Sequence, residues 1–373
     1  MPKTEFTWIE LSKSALVHNA KAFRRISGNA KLMAVVKSNA YGLGTPEVVK
    51  ILQNNVDVFG TANLDEALEL RALGIRKPIV VLSYWDTQSA SAAVQNNISL
   101  VLHSFAQLQE IRALPTSLQK RLSLHLKLDV GTSRIGFLPN ELAKLKKLLL
   151  AKPALKMNGV FSHFAQSESN NKSFTLQQNK RFQECVEELQ VVLDKKAIRH
   201  ISCTAAVLKY PKMRYDMLRV GLGMYGLWPA PELKKIQDLK LRPVLSWKTR
   251  VLAIKTLPPS TTIGYDRTYR VKKKMRVAVL PIGYFEGLQR SLSNNGQVLL
   301  RGKVAKFLGR LSMNLSVVNC ELIPQAKAGD EVVIIGRQGR EELSAQDIAK
   351  DMGTINYEVI THIHPLLPRH IVK

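Results

Sequence analysis

The segment Leu32-Met33-Ala34-Val35-Val36-Lys37-Ser38-Asn39-Ala40-Tyr41-Gly42-Leu43-Gly44 decides how the chain is read. Its apolar opening, closed by polar residues and glycines, has the length and composition of a strand covered on both faces. Thr45-Pro46 follows, with proline at the first helical position, and predicts a helix over 47–54. Seven further apolar runs repeat this beginning, at 56–61, 78–83, 98–103, 122–129, 157–163, 198–204 and 217–225. Helical candidates lie between them. Asn63-x-x-Glu66 opens one over 64–73 that stops at Gly74, and the longest spans 173–195. Eight strands each followed by a helix predict an α/β chain folded as a (β/α)8 TIM barrel. A Rossmann sheet would need fewer strands and a glycine-rich first turn.

After Trp228-Pro229-Ala230-Pro231 the pattern changes to strand-like runs at 242–257, 276–284, 297–301, 304–308, 315–322 and 331–335. One helix is predicted over 344–352, with Ser344 as N-cap and Asp347 three residues on. The expected division is a barrel over 11–230 and a C-terminal mostly-β domain over 231–373.

Composition bounds the function. The chain has 373 residues, 45% hydrophobic and 23% charged, with formal net charge +26. That composition excludes a disordered or fibrous chain. The positive charge is spread out, densest at Arg270-Val271-Lys272-Lys273-Lys274-Met275-Arg276, and no nucleic-acid-binding motif accompanies it, so no specific nucleic-acid partner is expected. No apolar run approaches the ~20 residues of a membrane span. The start lacks the basic and apolar regions of a signal peptide. Cys185, Cys203 and Cys320 form no C-x-x-C pair, which speaks against a disulfide framework or a metal site. Cytoplasm is the expected compartment.

In such a barrel the chemistry sits at the C-terminal ends of the strands. Those ends carry Lys37, then Lys127, Asp129 and Arg134, then His163, then His200 and Thr204, then Arg219 and Gly221. A lysine finishing an apolar run loses solvation, which lowers its pKa and frees an amine for carbonyl chemistry. Thr204, Gly221 and Gly223 lie on the edge where these barrels hold phosphate. An amine for an aldehyde and a cradle for a phosphate together point to pyridoxal 5'-phosphate. Taken singly, Lys37 also reads as a lysine extending to solvent, and His163 and His200 as core histidines.

Larger blocks carry a resemblance. Ala34 to Gly44 resembles the pyridoxal-phosphate attachment segment of alanine racemases, a fold-type-III family. The likeness continues in order through Lys127-Leu128-Asp129-Val130-Gly131-Thr132-Ser133-Arg134-Ile135-Gly136, Ser162-His163-Phe164-Ala165, Arg219-Val220-Gly221, Gly264-Tyr265, Pro281-Ile282-Gly283-Tyr284, Gly309-Arg310-Leu311-Ser312-Met313-Asn314 and Ile355-Asn356-Tyr357-Glu358. It implies an isomerase that interconverts L- and D-alanine and supplies D-alanine for peptidoglycan. It implies that residues 1–10 join the C-terminal domain, and that the protein is a homodimer whose active sites are shared between subunits. It makes Lys37 the Schiff-base lysine and the base for the D enantiomer, with Tyr265 of the partner subunit the base for the L enantiomer. Tyr41, Tyr357, Thr204, Gly221 and Leu222 would bind the phosphate. His163 would pack near the cofactor ring, and Arg219 would face its pyridine nitrogen. Arg134 and Met313 would contact substrate, and Lys127 is a candidate for carbamylation.

Several residues depart from the family pattern. Cys203 and Thr204 stand where Asn and Ser are usual. Phe285-Glu286-Gly287-Leu288 replaces a small residue, Asp, Gly and often Tyr, and Asn314 replaces Asp. These departures leave the reaction type intact and open the question of strict alanine preference. A racemase of serine or of broader specificity is one alternative. A non-catalytic pyridoxal-phosphate carrier is another, opposed by the β domain and Tyr265.

Overall fold

The computed structural model describes residues 5–152, 154–235 and 239–373. The chain divides into two compact units. One comprises Leu16–Ala40 and Val48–Arg242, the other Met1–Ala15, Tyr41–Glu47 and Pro243–Lys373.

After β1 (Thr7–Ser12), the first unit is built on β2 (Lys31–Val35), β3 (Val58–Thr61), β4 (Ile79–Val81), β5 (Ile98–Leu102), β6 (Ser123–Lys127), β7 (Lys156–Phe161), β8 (Leu193–His200) and β9 (Met217–Val220). These eight strands pair in parallel in the order β8-β7-β6-β5-β4-β3-β2-β9. Asp216 N donates to Arg199 O and Arg219 N to Ser202 O, both at 3.1 Å, so the sheet is a nearly closed barrel. Strands β3, β4 and β9 are buried at every residue, as expected of a parallel sheet with both faces covered. Leu32, Phe59, Ile79, Leu100, Leu124, Val160 and Leu218 are fully or almost fully buried along it. Each such side chain contributes about 1.5–3 kcal/mol relative to exposure.

Element boundaries moved where polar residues compete. The first strand stops at Val35, so Lys37 lies in the turn after it rather than at the strand's last position. The 173–195 helix ends at Leu189, and Asp194, Lys195 and Lys196 sit exposed in β8. Asn63 caps the helix Leu64–Ala72 by accepting from Glu66 N at 2.9 Å. The Glu66 carboxylate does not complete the box: it accepts from Ala62 N and Ser38 N, each at 2.7 Å.

The second unit holds β10 (Leu245–Arg250), β11 (Ala253–Leu257), β12 (Thr262–Ile263), β13 (Tyr269–Arg270), β14 (Met275–Leu280), β15 (Gln297–Leu300), β16 (Lys303–Lys306), β17 (Ser316–Asn319), β18 (Glu331–Gln338), β19 (Glu341–Leu343) and β20 (Arg369–Val372). Its seven-stranded sheet runs β16-β15-β18-β10-β1-β20 with β19 on β18. A three-stranded sheet, β11-β14-β17, and the pair β12-β13 complete it. The run 242–257 breaks after Arg250 into two strands of different sheets. A second helix, Asn356–Thr361, joins the expected Ala345–Met352, whose Ser344 and Asp347 form a complete capping box. Tyr41–Glu47 belongs to this unit for a packing reason. A Cβ on Gly42 would come within 2.0 Å of Ile360 O, and Arg369 donates to Gly42 O (2.8 Å) and Leu43 O (3.1 Å). The barrel unit in turn extends to Arg242, which Asn19 holds by two hydrogen bonds of 2.8 Å.

Candidate active site

Lys37 opens a turn in which Ser38, Asn39, Ala40 and Tyr41 all have positive φ, from 51° to 59°. Four successive left-handed non-glycine residues cost of order 1 kcal/mol each. Ala40 N to Val36 O (2.9 Å) and Ser38 N to Glu66 Oε1 (2.7 Å) hold the turn in place. The Lys37 ammonium is destabilised chiefly by burial and further by the positive charge of Arg134. Glu66 opposes the shift and Arg219 adds to it; the net pKa lies below the ordinary lysine value. More of the amine is therefore neutral than in a solvated lysine.

Arg219, at the end of β9 and 5% exposed, is the hub of the barrel's polar interior. Nη1 reaches His200 Nδ1 (3.0 Å) and His200 O (2.9 Å). Nη2 reaches Ser162 O (2.7 Å), Ile201 O (3.0 Å) and His163 Nδ1 (3.1 Å). A guanidinium can only donate, so Nδ1 of both histidines must accept and their protons sit on Nε2. His200 Nε2 then donates to His125 Nδ1 at 2.9 Å. Burial and the neighbouring cations keep all three imidazoles neutral, with His125 brought down to about 4 and His163 and His200 well below the ordinary value. Phe161 lies under this group. His200 stacks on it at 4.7 Å, while Lys127 Nζ and Arg219 Cζ sit 4.6 and 5.5 Å from its centroid.

Lys127 is 3% exposed at the end of β6. Burial above all, then Arg219 and Arg134, drive its pKa well below the lysine value against Asp129. Asp129, which read as a reactive candidate, is committed to its loop: Oδ1 accepts from Gly131, Thr132 and Ser133 N, and Oδ2 from Arg134 N. Thr204 begins the short helix Thr204–Lys209, and its Oγ1 accepts from Gly223 N at 3.4 Å. Gly221 precedes the 3-10 turn Leu222–Tyr225, and a Cβ on Gly223 would meet Thr204 Cγ2 at 2.7 Å. Cys203 Sγ lies 3.3 Å from Ser167 Oγ.

The remaining expected residues lie in the β unit. The Tyr41 and Tyr357 rings are 6.3 Å apart. Tyr265 is 67% exposed between Gly264 (φ 78°) and Asp266 (φ 55°), and Asp266 pairs with Arg310. Gly264 is required there, because a Cβ would reach Arg310 N at 2.6 Å. Met313 is 53% exposed.

Residues 11–229 match the alanine racemase N-terminal domain family, and residues 244–371 the C-terminal domain family. The chain belongs to the alanine racemase family. It is 36% identical over 366 residues to alanine racemase 2 of Caldanaerobacter subterraneus, covering 97% of this chain and 94% of the relative. Alanine racemase of Methanococcus maripaludis is 35% identical, with 97% of both chains covered. Among solved structures, alanine racemase from a D-cycloserine-producing Streptomyces lavendulae superposes with TM-score 0.93 at 32% identity, covering 99% of this chain and 97% of that one. The Bacillus anthracis enzyme, solved with bound L-Ala-P, also gives 0.93, at 33% identity, with 100% and 96% covered. Alanine racemases are isomerases on a TIM barrel with a β domain, and both halves of that architecture are present here.

The sequence left four contributors unread. His125 sits mid-strand and resembles any core residue, but Gly159 opposite it was a signal, since a Cβ there would strike His125 Nδ1 at 2.3 Å. Glu66 read as a capping residue. Ser167 and the buried Gln178, which accepts from Ala165 N at 3.0 Å and donates to His163 O at 3.5 Å, carried no motif.

Proposed function

We propose that this chain racemises alanine with pyridoxal 5'-phosphate, supplying D-alanine for peptidoglycan in the cytoplasm. The observation that carries this reading is the Arg219 hub beside Lys37. The residues fit the cofactor: a lysine amine with lowered pKa suits an aldehyde, and a cationic strand-end region suits a phosphate. Thr204 and the Gly221–Leu222 backbone would hold that phosphate together with Tyr41 and Tyr357. When bound, the cofactor withdraws electrons from the substrate's Cα and acidifies its proton.

The chain's own groups then divide the work. Lys37 exchanges the proton on one face of Cα, for the D enantiomer, and Tyr265 of the partner subunit on the other, for the L enantiomer. Two bases on opposite faces serve both directions. Arg219 keeps its proton, so a ring nitrogen facing it stays unprotonated and electron withdrawal stays moderate. That favours prompt return of the proton to Cα over side reactions. His163, held by Arg219 Nη2 at 3.1 Å, would help hold the cofactor ring. Arg134 orients the substrate carboxylate, and Met313 contacts substrate from the partner. Lys127, whose ammonium form burial disfavours, is suited to take up carbon dioxide with loss of a proton as a carbamate that would align Arg134. The working unit is a homodimer with shared sites, the barrel of residues 11–230 binding cofactor and residues 231–373 with 1–10 completing the neighbour's site.

Proton NMR in D2O with added pyridoxal phosphate tests this. Loss of the L-alanine Cα signal with formation of D-alanine is expected. Exchange confined to L-serine, L-lysine or L-arginine would move the specificity, and cofactor binding without exchange would leave only a carrier.

A further inference from the structure

Two segments of the β unit cross backbone against backbone. Tyr284 N donates to Ser312 O (3.1 Å) and Phe285 N to Met313 O (2.9 Å). Only glycine permits the approach, since a Cβ on Gly283 would lie 2.1 Å from Ser312 O and 2.5 Å from Met313 O. One side chain ties the crossing together. Glu286 Oε2 accepts from Gly283 N, and Oε1 accepts from Asn314 Nδ2, each at 2.8 Å. The segment is anchored from behind by His364, whose N–H donates to Glu286 O at 3.2 Å and whose ring stacks on Phe285 at 4.4 Å. Glu286 and Asn314 are two of the positions that depart from the family pattern, and here they meet.

We propose that Glu286 and Asn314 form a positioning clamp that holds Met313 for the amino-acid substrate. This rests on Met313 contacting substrate, as in the function proposed above. The pair works because a carboxylate can only accept and the amide supplies the donor. An aspartate at 314 would set two acceptor-only, like-charged groups against each other. A glutamine at 286 would still accept from Gly283 N through its oxygen. Its nitrogen would donate to Asn314, whose amide turns to present oxygen.

These rules predict an asymmetric pattern. Asn314→Asp should raise KM for L-alanine about tenfold, with kcat, thermal midpoint and cofactor absorbance unchanged. Glu286→Gln alone should stay within about twofold of wild type. The double variant Glu286→Gln/Asn314→Asp should return close to Glu286→Gln, because the amide and the carboxylate have exchanged places. Hydrogen exchange at the Phe285 amide supplies a readout independent of turnover: faster in Asn314→Asp, restored in the double variant. Unchanged exchange and KM in Asn314→Asp, or no rescue in the double variant, would overturn the clamp. A wild-type protein inert towards alanine whose variants still follow the exchange pattern would instead overturn the functional reading and with it the clamp's role in substrate binding.

Discussion

Lys37 and Tyr265 were both legible as residues, for different reasons. Lys37 stood out because an ammonium closing an apolar run must find a partner or lose its proton, and the structure lowers its pKa by burial and by Arg134 and Arg219. Tyr265 stood out through resemblance alone, and the structure displays it, 67% exposed, on a turn where Gly264 and Asp266 have positive φ. Replacing Lys37 by Ala is expected to abolish the borohydride-reducible absorbance of bound cofactor; a retained band would remove the lysine from its role. For Tyr265→Phe, cofactor should stay bound. Exchange starting from L-alanine should fall about 10²–10⁴-fold, the usual loss of a general base, while exchange from D-alanine falls far less. Equal losses in Cα-deuterium uptake from the two enantiomers would refute the division of faces.

At the scale of elements, barrel strands announced themselves wherever β-branched runs were uninterrupted, as in β3 to β5. Boundaries failed where charge intervened. The exposed Asp194, Lys195 and Lys196 of β8 look like a helix face in the sequence, yet they lie in the strand where its register with β7 shifts, between the pairs Leu193–Met157 and Ile198–Gly159. Gly159 in β7 shows the reverse case, a small residue whose reason is a neighbour across the sheet. Gly159→Ala would drive a methyl into His125 Nδ1 and separate it from His200. A loss of about 1–3 kcal/mol in urea unfolding is expected, the cost of overpacking a filled core. A variant as stable as wild type would mean that His125 has room to move that the packing does not show.

For the molecule as a whole, three buried neutral histidines make stability depend on pH. In the unfolded chain each takes up a proton near pH 6.5, whereas folded His125 resists until about 4 and His163 and His200 resist too. The unfolded state therefore binds more protons across this window, and stability falls as pH drops from about 6.5 towards 4. His125 alone accounts for about 3 kcal/mol over that span. Guanidinium unfolding at fixed protein concentration should show midpoints level above pH 7 and falling below 6.5. Guanidinium supplies the salt that screens self-repulsion of the +26 charge. A flat profile down to pH 5 would show that these imidazoles are protonated or solvated in the native state.

Alternation of apolar runs with helix signals was enough to give eight strands, a barrel and a β domain after it, because periodicity and turn chemistry are local properties of the chain. The family blocks named the lysine, the arginines and the tyrosines for the same reason: they are contiguous. What the sequence could not decide were relations between distant residues. The imidazole chain from His125 through His200 to Arg219, the assignment of Tyr41–Glu47 to the β unit and the meeting of Glu286 with Asn314 each join segments far apart in the chain. Such contacts depend on backbones packing within ångströms, where single glycines such as Gly42, Gly159 and Gly283 set the distance. Only the tertiary structure fixes that.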